Sequence, residues 1–297
     1  MLRRDFGKTG IRVSVLGLGG SEIGAARTSQ RDVNRIVGAA LEAGINVIDT
    51  AECYGDSEDK IGRAVGHRRD SCYLFTKCGH PGGVWNRLRF SAWDAKLLRS
   101  TIDRSLKRLR TDHLDLLQLH GCPEMILRRG DVIHVLAKAK QAGKVRFIGY
   151  SGDDGAALYA VKCEAFDALQ VSVNIADQTA IAKVLPVAGE YQLGVIAKRP
   201  IANVSWLTNY VGTYSRRLNR LRYDFLKLPV AQSAAFALRF TLTCPGVHTA
   251  IVGTTKPDHI LKNTNSLDAD GLLSMEEFAT IRERWARVAE PSWTGQA

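Results

Sequence analysis

The stretch NVIDTAECYG, residues 46–55, decides how this chain is read. Val47 and Ile48 are β-branched, the run stops on the carboxylate of Asp49, and polar and glycine residues then turn the chain around Tyr54. A buried strand ending on a charged group has this form. The same order recurs in CYLFTKCG, which delivers Lys77, HLDLLQLHG, which delivers His120, KVRFIGYSGDD, which delivers Ser151, and LGVIAKRP, which delivers Lys198. Ligands of parallel α/β folds bind at the carboxyl edge of the strands, so these five groups are expected to meet in one site.

Outward from residues 46–55 the alternation holds in both directions. Val33, Ile36, Val37, Ala40 and Leu41 follow helical spacing before that strand, and a helix over 57–65 leads to a strand over 73–77. Helix 94–109 then precedes strand 114–120, helix 132–142 strand 145–150, helix 154–162 strand 168–173, helix 178–188 strand 195–198, and helix 230–242 strand 249–252. With a first strand at 15–18, this makes eight strand-helix units, the number that closes a (β/α)8 barrel. Segments 2–6 and 11–15 around GKTG predict an N-terminal β-hairpin, and a short C-terminal helical extension follows the last unit. A single α/β barrel domain over residues 1–297 is the expectation. Long loops at 79–93 and 199–228 fall at the expected mouth, where Trp85 and Trp206 are candidate walls of a substrate pocket.

Other patterns fail in detail. VSVLGLGGSEIGAA crowds Gly17, Gly19, Gly20 and Gly24 at a strand end, but a G-x-G-x-x-G from Gly17 meets Glu22 where its third glycine belongs. The first helix is expected only at Ser29, too late to hold a pyrophosphate, so the segment reads as a strand-to-loop turn. SLDADGLLSMEE, residues 266–277, nearly matches a calcium loop, but Ser266 opens it in place of a carboxylate, and Ser274 with Glu277 reads as a helix capping box. The seven histidines lack H-E-x-x-H or H-x-H spacing, so no metal is expected.

The bulk numbers point the same way. With 45% apolar and 24% charged residues the chain has the composition of an ordinary globular protein. MLRRDFGKTG lacks the apolar core of a signal peptide, and no run nears ~18 apolar residues, so neither secretion nor membrane partnership is expected. Six cysteines without a C-x-x-C pair read as reduced thiols of a cytoplasmic protein. The net charge of +11 raises nucleic acid as a partner, but no binding signature accompanies the arginines at 216, 217, 220 and 222. An anionic small molecule suits that charge better.

Aspartate, tyrosine, lysine and histidine at one barrel mouth suit proton delivery to a carbonyl. A tyrosine with its ordinary pKa of ~10 holds a phenolate poorly at neutral pH, and a lysine within ~4–6 Å is expected to lower that value by roughly 1–3 units. Tyr54, Lys77 and Asp49 fill the roles of acid, tuning cation and anchoring carboxylate, while His120 orients the carbonyl oxygen. No side chain supplies hydride, so reduction here requires a nicotinamide. A Schiff-base lyase using the strand-end lysine and a cofactor-binding regulatory subunit are the alternatives.

These residues carry a resemblance. GKTGIRVSVLGLGG, NVIDTAECYGDSE, TKCG, DLLQLH, RFIGYSG and AIVGTTKPDHILKN together resemble the aldo-keto reductase family over essentially the whole length. The resemblance implies an eight-stranded α/β barrel with a front hairpin, reversible reduction of small-molecule aldehydes and ketones, NADPH as cofactor with NADH possible, and a catalytic tetrad on Asp49, Tyr54, Lys77 and His120. It implies that Ser151 and Gln170 hold the nicotinamide amide, with Gly152 replacing the family's asparagine. Lys198, followed by Arg199 and Pro200, stands where an aromatic ring often stacks on the nicotinamide, which suggests a cation near the cofactor or a substrate phosphate. Gly253, Thr254, Thr255, Lys256 and Asn263 fall on the phosphate and adenine contacts. His259 takes the place of an arginine at the 2′-phosphate, and Lys262 that of a glutamate at the adenine; with Lys256 they form the basic cluster that favours NADPH.

Overall fold

A computed structural model describes residues 1–25, 28–80, 93–207 and 212–295 of the chain. Eight parallel strands close into a barrel: β3 (Leu16–Gly19), β4 (Val47–Asp49), β5 (Tyr73–Cys78), β6 (Leu114–His120), β7 (Val145–Ser151), β8 (Ala168–Ser172), β9 (Gly194–Lys198) and β10 (Thr249–Gly253), with β10 pairing both β9 and β3. Ahead of them, β1 (Arg3–Asp5) and β2 (Arg12–Ser14) form the antiparallel hairpin.

Side chains alternate across a strand, and this period divides the barrel interior into layers. Val47, Phe75, Leu116, Ala168 and Ile196 point inward near the amino ends and form an apolar cluster with Phe6, Ile11 and Val13 of the hairpin region. Phe6 stacks on Phe75 with ring centroids 5.7 Å apart, and a Cβ at Gly194 would lie 2.6 Å from the Phe6 ring. The hairpin thereby closes one end of the barrel with hydrocarbon. One step of two residues along the same strands brings Asp49, Lys77, Gln118, Gln170 and Lys198. Register then sets the mouth: His120 pairs with Ser151, and Ser151 with Gln170, in one rung.

Helices around the barrel bury the outward residues of the strands. Helix α2 (Gln30–Glu42) starts where Ser29 accepts from the Asp32 N–H and buries Val33, Ile36, Val37 and Ala40. The other helices that position the site are α3 (Ser57–Val65), α4 (Ala95–Leu109), α7 (Asp154–Lys162), α11 (Val230–Thr243) and α12 (Pro257–Asp270), with α5 (Glu124–Leu127) and α6 (Asp131–Gln141) between α4 and α7. The final helix α13 (Met275–Val288) opens on the Ser274/Glu277 capping box, with hydrogen bonds of 2.8 and 3.1 Å. Residues 266–270 of the calcium-like stretch belong to α12.

Three expectations change. A short helix α1 (Ser21–Ala25) precedes Ser29, after glycines that look like turn residues. The helix expected over 178–188 is two, α8 (Thr179–Lys183) and α9 (Leu185–Glu190), because Pro186 offers no N–H to continue the first. The long loop after β9 contains α10 (Thr213–Leu221), whose Arg217 is buried beside Asp177 at 3.6 Å. No helix among the described residues is long and apolar enough to cross a membrane.

Candidate active site

Beyond Asp49 the chain turns through residues 50–56 before α3, and α1 packs directly on that turn. A Cβ at Gly20 would lie 2.7 Å from Ser57 Oγ, and one at Gly24 only 1.8 Å from the Tyr54 carbonyl oxygen. Ser57 ties the two segments, donating to Gly20 O at 2.7 Å and meeting Thr50 Oγ1 at 2.9 Å. The glycines of this region therefore fix the turn that presents Tyr54.

Beneath Tyr54 lies a buried ion pair. The Lys77 ammonium donates to Asp49 Oδ1 and, at 2.8 Å, to Thr50 O, and both charged residues are 1% exposed. Asp49 Oδ2 accepts from Gln170 Nε2 at 2.9 Å and from Gln118 Nε2 at 3.3 Å, while Gln170 Oε1 accepts from Ser151 Oγ at 2.8 Å. A continuous hydrogen-bonded row thus runs Ser151, Gln170, Asp49, Lys77. Burial alone would lower the Lys77 pKa, but the charge of Asp49 and its hydrogen bond oppose this and the pKa ends raised, so the lysine stays charged.

Lys77 Nζ stands 5.2 Å from the Tyr54 ring centroid. It is the largest single influence on the phenol and draws the pKa down, yet burial, Asp49, Cys53 and Glu22 together outweigh it, and the pKa ends raised above its ordinary value of 10. The acidified phenol expected from the sequence is thus corrected: Tyr54 keeps its proton, because the burial and the carboxylate that anchor Lys77 act on the phenol as well. His120 faces Tyr54 edge-on, ring centroids 5.8 Å apart. Burial first, then the neighbouring Lys77, His80, Lys198 and Arg199, push the His120 pKa down to about 2, so its imidazole is neutral.

Tyr54, His120, Asp49, Ser151 and Gln170 line a cavity of about 590 Å3 that extends to Lys198, Arg199, Pro200 and Gly253. A second cavity of about 940 Å3 reaches His259, Lys262 and Asn263. Ile201, Val204, Val252 and Gly253 line both, so the two form one long cleft. At this join Gly19, paired with Gly253 across adjacent strands, also lines the first cavity. Helix α12 begins beside it without a side-chain cap on its first N–H groups. Such an elongated cleft, with a helix amino end and basic side chains along it, fits an anionic dinucleotide.

The fold and this cleft have counterparts. A model described as the Aldo/keto reductase family matches residues 15–286. The chain belongs to the aldo/keto reductase family. Among solved structures, the aldo-keto reductase AKR11C1 from Bacillus halodurans, in a holo form, superposes with a TM-score of 0.85 at 25% identity, covering 99% of both chains. An uncharacterized oxidoreductase of Bacillus subtilis, YqkF, is 27% identical over 295 residues, 93% of this chain and 94% of its own. The 6-dehydroglucose reductase of Novosphingobium aromaticivorans is 35% identical over 159 residues, 50% of each chain. This protein is therefore an oxidoreductase of the aldo/keto reductase type.

Within this aldo/keto reductase the departures from the family pattern have local causes. At Gly152 an added Cβ would lie 2.3 Å from Tyr150 Oη, which is itself held by a bond to Cys122 O at 3.0 Å. Asparagine does not fit there while Tyr150 keeps its place. Lys198 lines the cleft, but its ammonium pairs with Asp153 at 3.0 Å, and Arg199 approaches the same carboxylate at 3.9 Å. Burial lowers the Lys198 pKa, only partly countered by Asp153. The cation expected to face a cofactor or phosphate is thus already engaged by an aspartate the sequence did not single out.

Thr254 is buried under the join, where its hydroxyl accepts from Lys256 N at 3.0 Å and meets His259 Nδ1 at 3.1 Å. Thr255 and Lys256 line neither cavity among the described residues. Trp206 packs against the large hydrophobic cluster and likewise lines neither cavity. Trp85 lies outside the described residues. Glu22, read only as a break in a glycine pattern, lines the first cavity, and its carboxylate occupies the space over Gly253 that a Cβ there would need. Cys53 and His80 were also unforeseen as neighbours of His120: Cys53 Sγ is 3.5 Å from His120 Nδ1, and the His80 ring stacks on His120 at 4.6 Å.

Proposed function

We propose that this protein reduces aldehyde or ketone carbonyls of small molecules with NADPH, reversibly. One observation carries the reading: Tyr54 and His120 meet edge-on at one cavity, above the Lys77 ammonium that Asp49 holds. The nicotinamide supplies the hydride when bound. Ser151 and Gln170, which line the same cavity and are hydrogen-bonded to each other and on to Asp49, would hold its amide.

The chain's own residues handle the proton. His120 donates an N–H to the carbonyl oxygen and fixes it beside the phenol. As negative charge grows on that oxygen, the Tyr54 hydroxyl proton passes to it, completing the alcohol. The phenolate left behind lies beside Lys77, whose attraction is the largest electrostatic effect on this group. Lys77 itself is tied to Asp49 and Thr50 and lines neither cavity, which argues against imine formation there.

Lys262 and His259 line the second cavity with Lys256 close by; burial and the two lysines lower the His259 pKa, and the two lysine charges support NADPH over NADH. Fluorescence titration is expected to give tighter binding of NADPH than of NADH, with the margin narrowed by Lys262→Ala. A panel of aldehydes, ketones and sugars followed by loss of reduced-nicotinamide absorbance tests the activity. No turnover on any of them by a protein that binds NADPH would refute the enzymatic reading in favour of a cofactor-binding regulatory role.

A further inference from the structure

Three residues far apart in sequence converge on the cleft side of the barrel where the proposed function uses only one. Cys53 comes from the turn after β4, His80 from the end of β5 and His120 from the end of β6. One ligand atom from each lies within 4.8 Å of the other two, and Cys53 Sγ is 3.5 Å from His120 Nδ1. Tetrahedral zinc bonds of ~2.0 Å to nitrogen and ~2.3 Å to sulfur put neighbouring ligand atoms roughly 3.3–3.6 Å apart, so a small closure of the exposed His80 completes the set. A thiolate with two imidazoles selects a thiophilic divalent cation over calcium or magnesium.

The position of His80 is constrained by its surroundings. Gly79 has φ +107, and a Cβ on it would sit 2.1 Å from the Trp93 ring, so only glycine lets the chain turn beneath that ring. His80 then folds back over Gly121, where its Nε2 would lie 3.7 Å from an added Cβ, and stacks on His120 at 4.6 Å. Trp93 also meets His80 edge-on, ring centroids 6.3 Å apart.

We propose that Cys53, His80 and His120 bind Zn2+ and that the ion switches the reductase off. Binding breaks the Cys53 S–H bond, forms a sulfur-metal bond and releases one proton to solvent. The ion takes the Nδ1 side of the His120 ring, where Cys53 stands, and holding it there draws the ring away from the place where its other N–H meets the carbonyl oxygen. Of the three ligands only His120, beside Tyr54, lines the cleft assigned to the dinucleotide, so the ion acts on the carbonyl and leaves cofactor binding intact. The inhibitory half rests on the reduction proposed above; the binding half does not.

The test uses the full chain with Zn2+ competed against a chromogenic chelator, and Co2+ as a spectroscopic probe. One equivalent of Zn2+ is expected to bind, with affinity roughly 10- to 100-fold weaker in Cys53→Ala and in His80→Ala. Co2+ should show a thiolate-to-metal charge-transfer band in the wild type that is lost in Cys53→Ala. Thermal melts establish that both variants are folded, and the exposed His80 supplies the variant least able to disturb the fold. NADPH affinity should be unchanged by Zn2+, while carbonyl reduction is inhibited and restored by EDTA. Equal Zn2+ affinity in wild type and both variants, absence of the cobalt-thiolate band, or displacement of NADPH by Zn2+ would each overturn the site. Should no carbonyl be reduced at all, the proposed function fails while the zinc and cobalt measurements still decide the binding.

Discussion

The two ends of the barrel are built from the same strands and differ by a single step of two residues. Val47, Phe75 and Leu116 at the closed end become Asp49, Lys77 and Gln118 toward the mouth. At the closed end, burial of hydrocarbon under Phe6 is favourable with no further condition. Toward the mouth the buried groups are charged and amide side chains, and each is tolerable only because the next one satisfies it. Stability is therefore distributed residue by residue at one end and held in common at the other, and substitutions should behave accordingly.

Tyr54→Phe is the sharpest way to separate the ends. It removes the proton donor without touching the ion pair, so turnover should drop by roughly 10²- to 10⁴-fold while NADPH affinity and the melting temperature stay near wild type. A melting temperature lowered as much as turnover would erase the distinction. Lys77→Met blurs it deliberately, because it leaves the Asp49 carboxylate buried without its partner. Removing one member of a buried pair costs about 3–5 kcal/mol, so denaturant unfolding should show that loss together with loss of turnover.

Phe6→Ala probes the opposite end. Cavity formation there should cost about 3–5 kcal/mol in denaturant unfolding, with kcat per folded molecule unchanged. A fall in kcat would show that the plug reaches the site. The smallest effect is expected from pH. Reduction needs the Tyr54 proton, and because that pKa is raised above 10, the reductive rate should stay flat through neutrality and decline only beyond the ordinary tyrosine range. Alcohol oxidation should gain over the same interval. His120, neutral with a pKa of about 2, should add no inflection between about pH 5 and 8.

Legibility followed the same division. Apolar runs ending on Asp49, Lys77, His120 and Ser151 announce both the strands and the edge that carries the chemistry, since a strand end has only one place to go in a closed barrel. Gln118, which with Gln170 satisfies Asp49, sits within an apolar run and marks itself only as a polar residue in a strand. Asp153 could not be paired with Lys198 from the sequence, because its position beside Ser172 N at 2.7 Å is set by how β7 leads into α7. Cys53, His80 and His120 have no recognisable spacing, because three separate strand ends supply them. Helix α10 was hidden by its arginines: Tyr214, Leu218 and Leu221 keep helical spacing, but Arg217 fills a buried place that hydrophobicity would have marked.

The contact between position 152 and the Tyr150 ring also constrains how this sequence can change. A lone Gly152→Asn replacement collides with a ring, and a lone shortening of Tyr150 leaves a void and strips Cys122 O of its donor. Either first move is disfavoured, so the pair is an island that drift reaches or leaves only by two simultaneous exchanges, and anyone grafting the family's Ser-Asn pair onto this scaffold must alter both positions in one design.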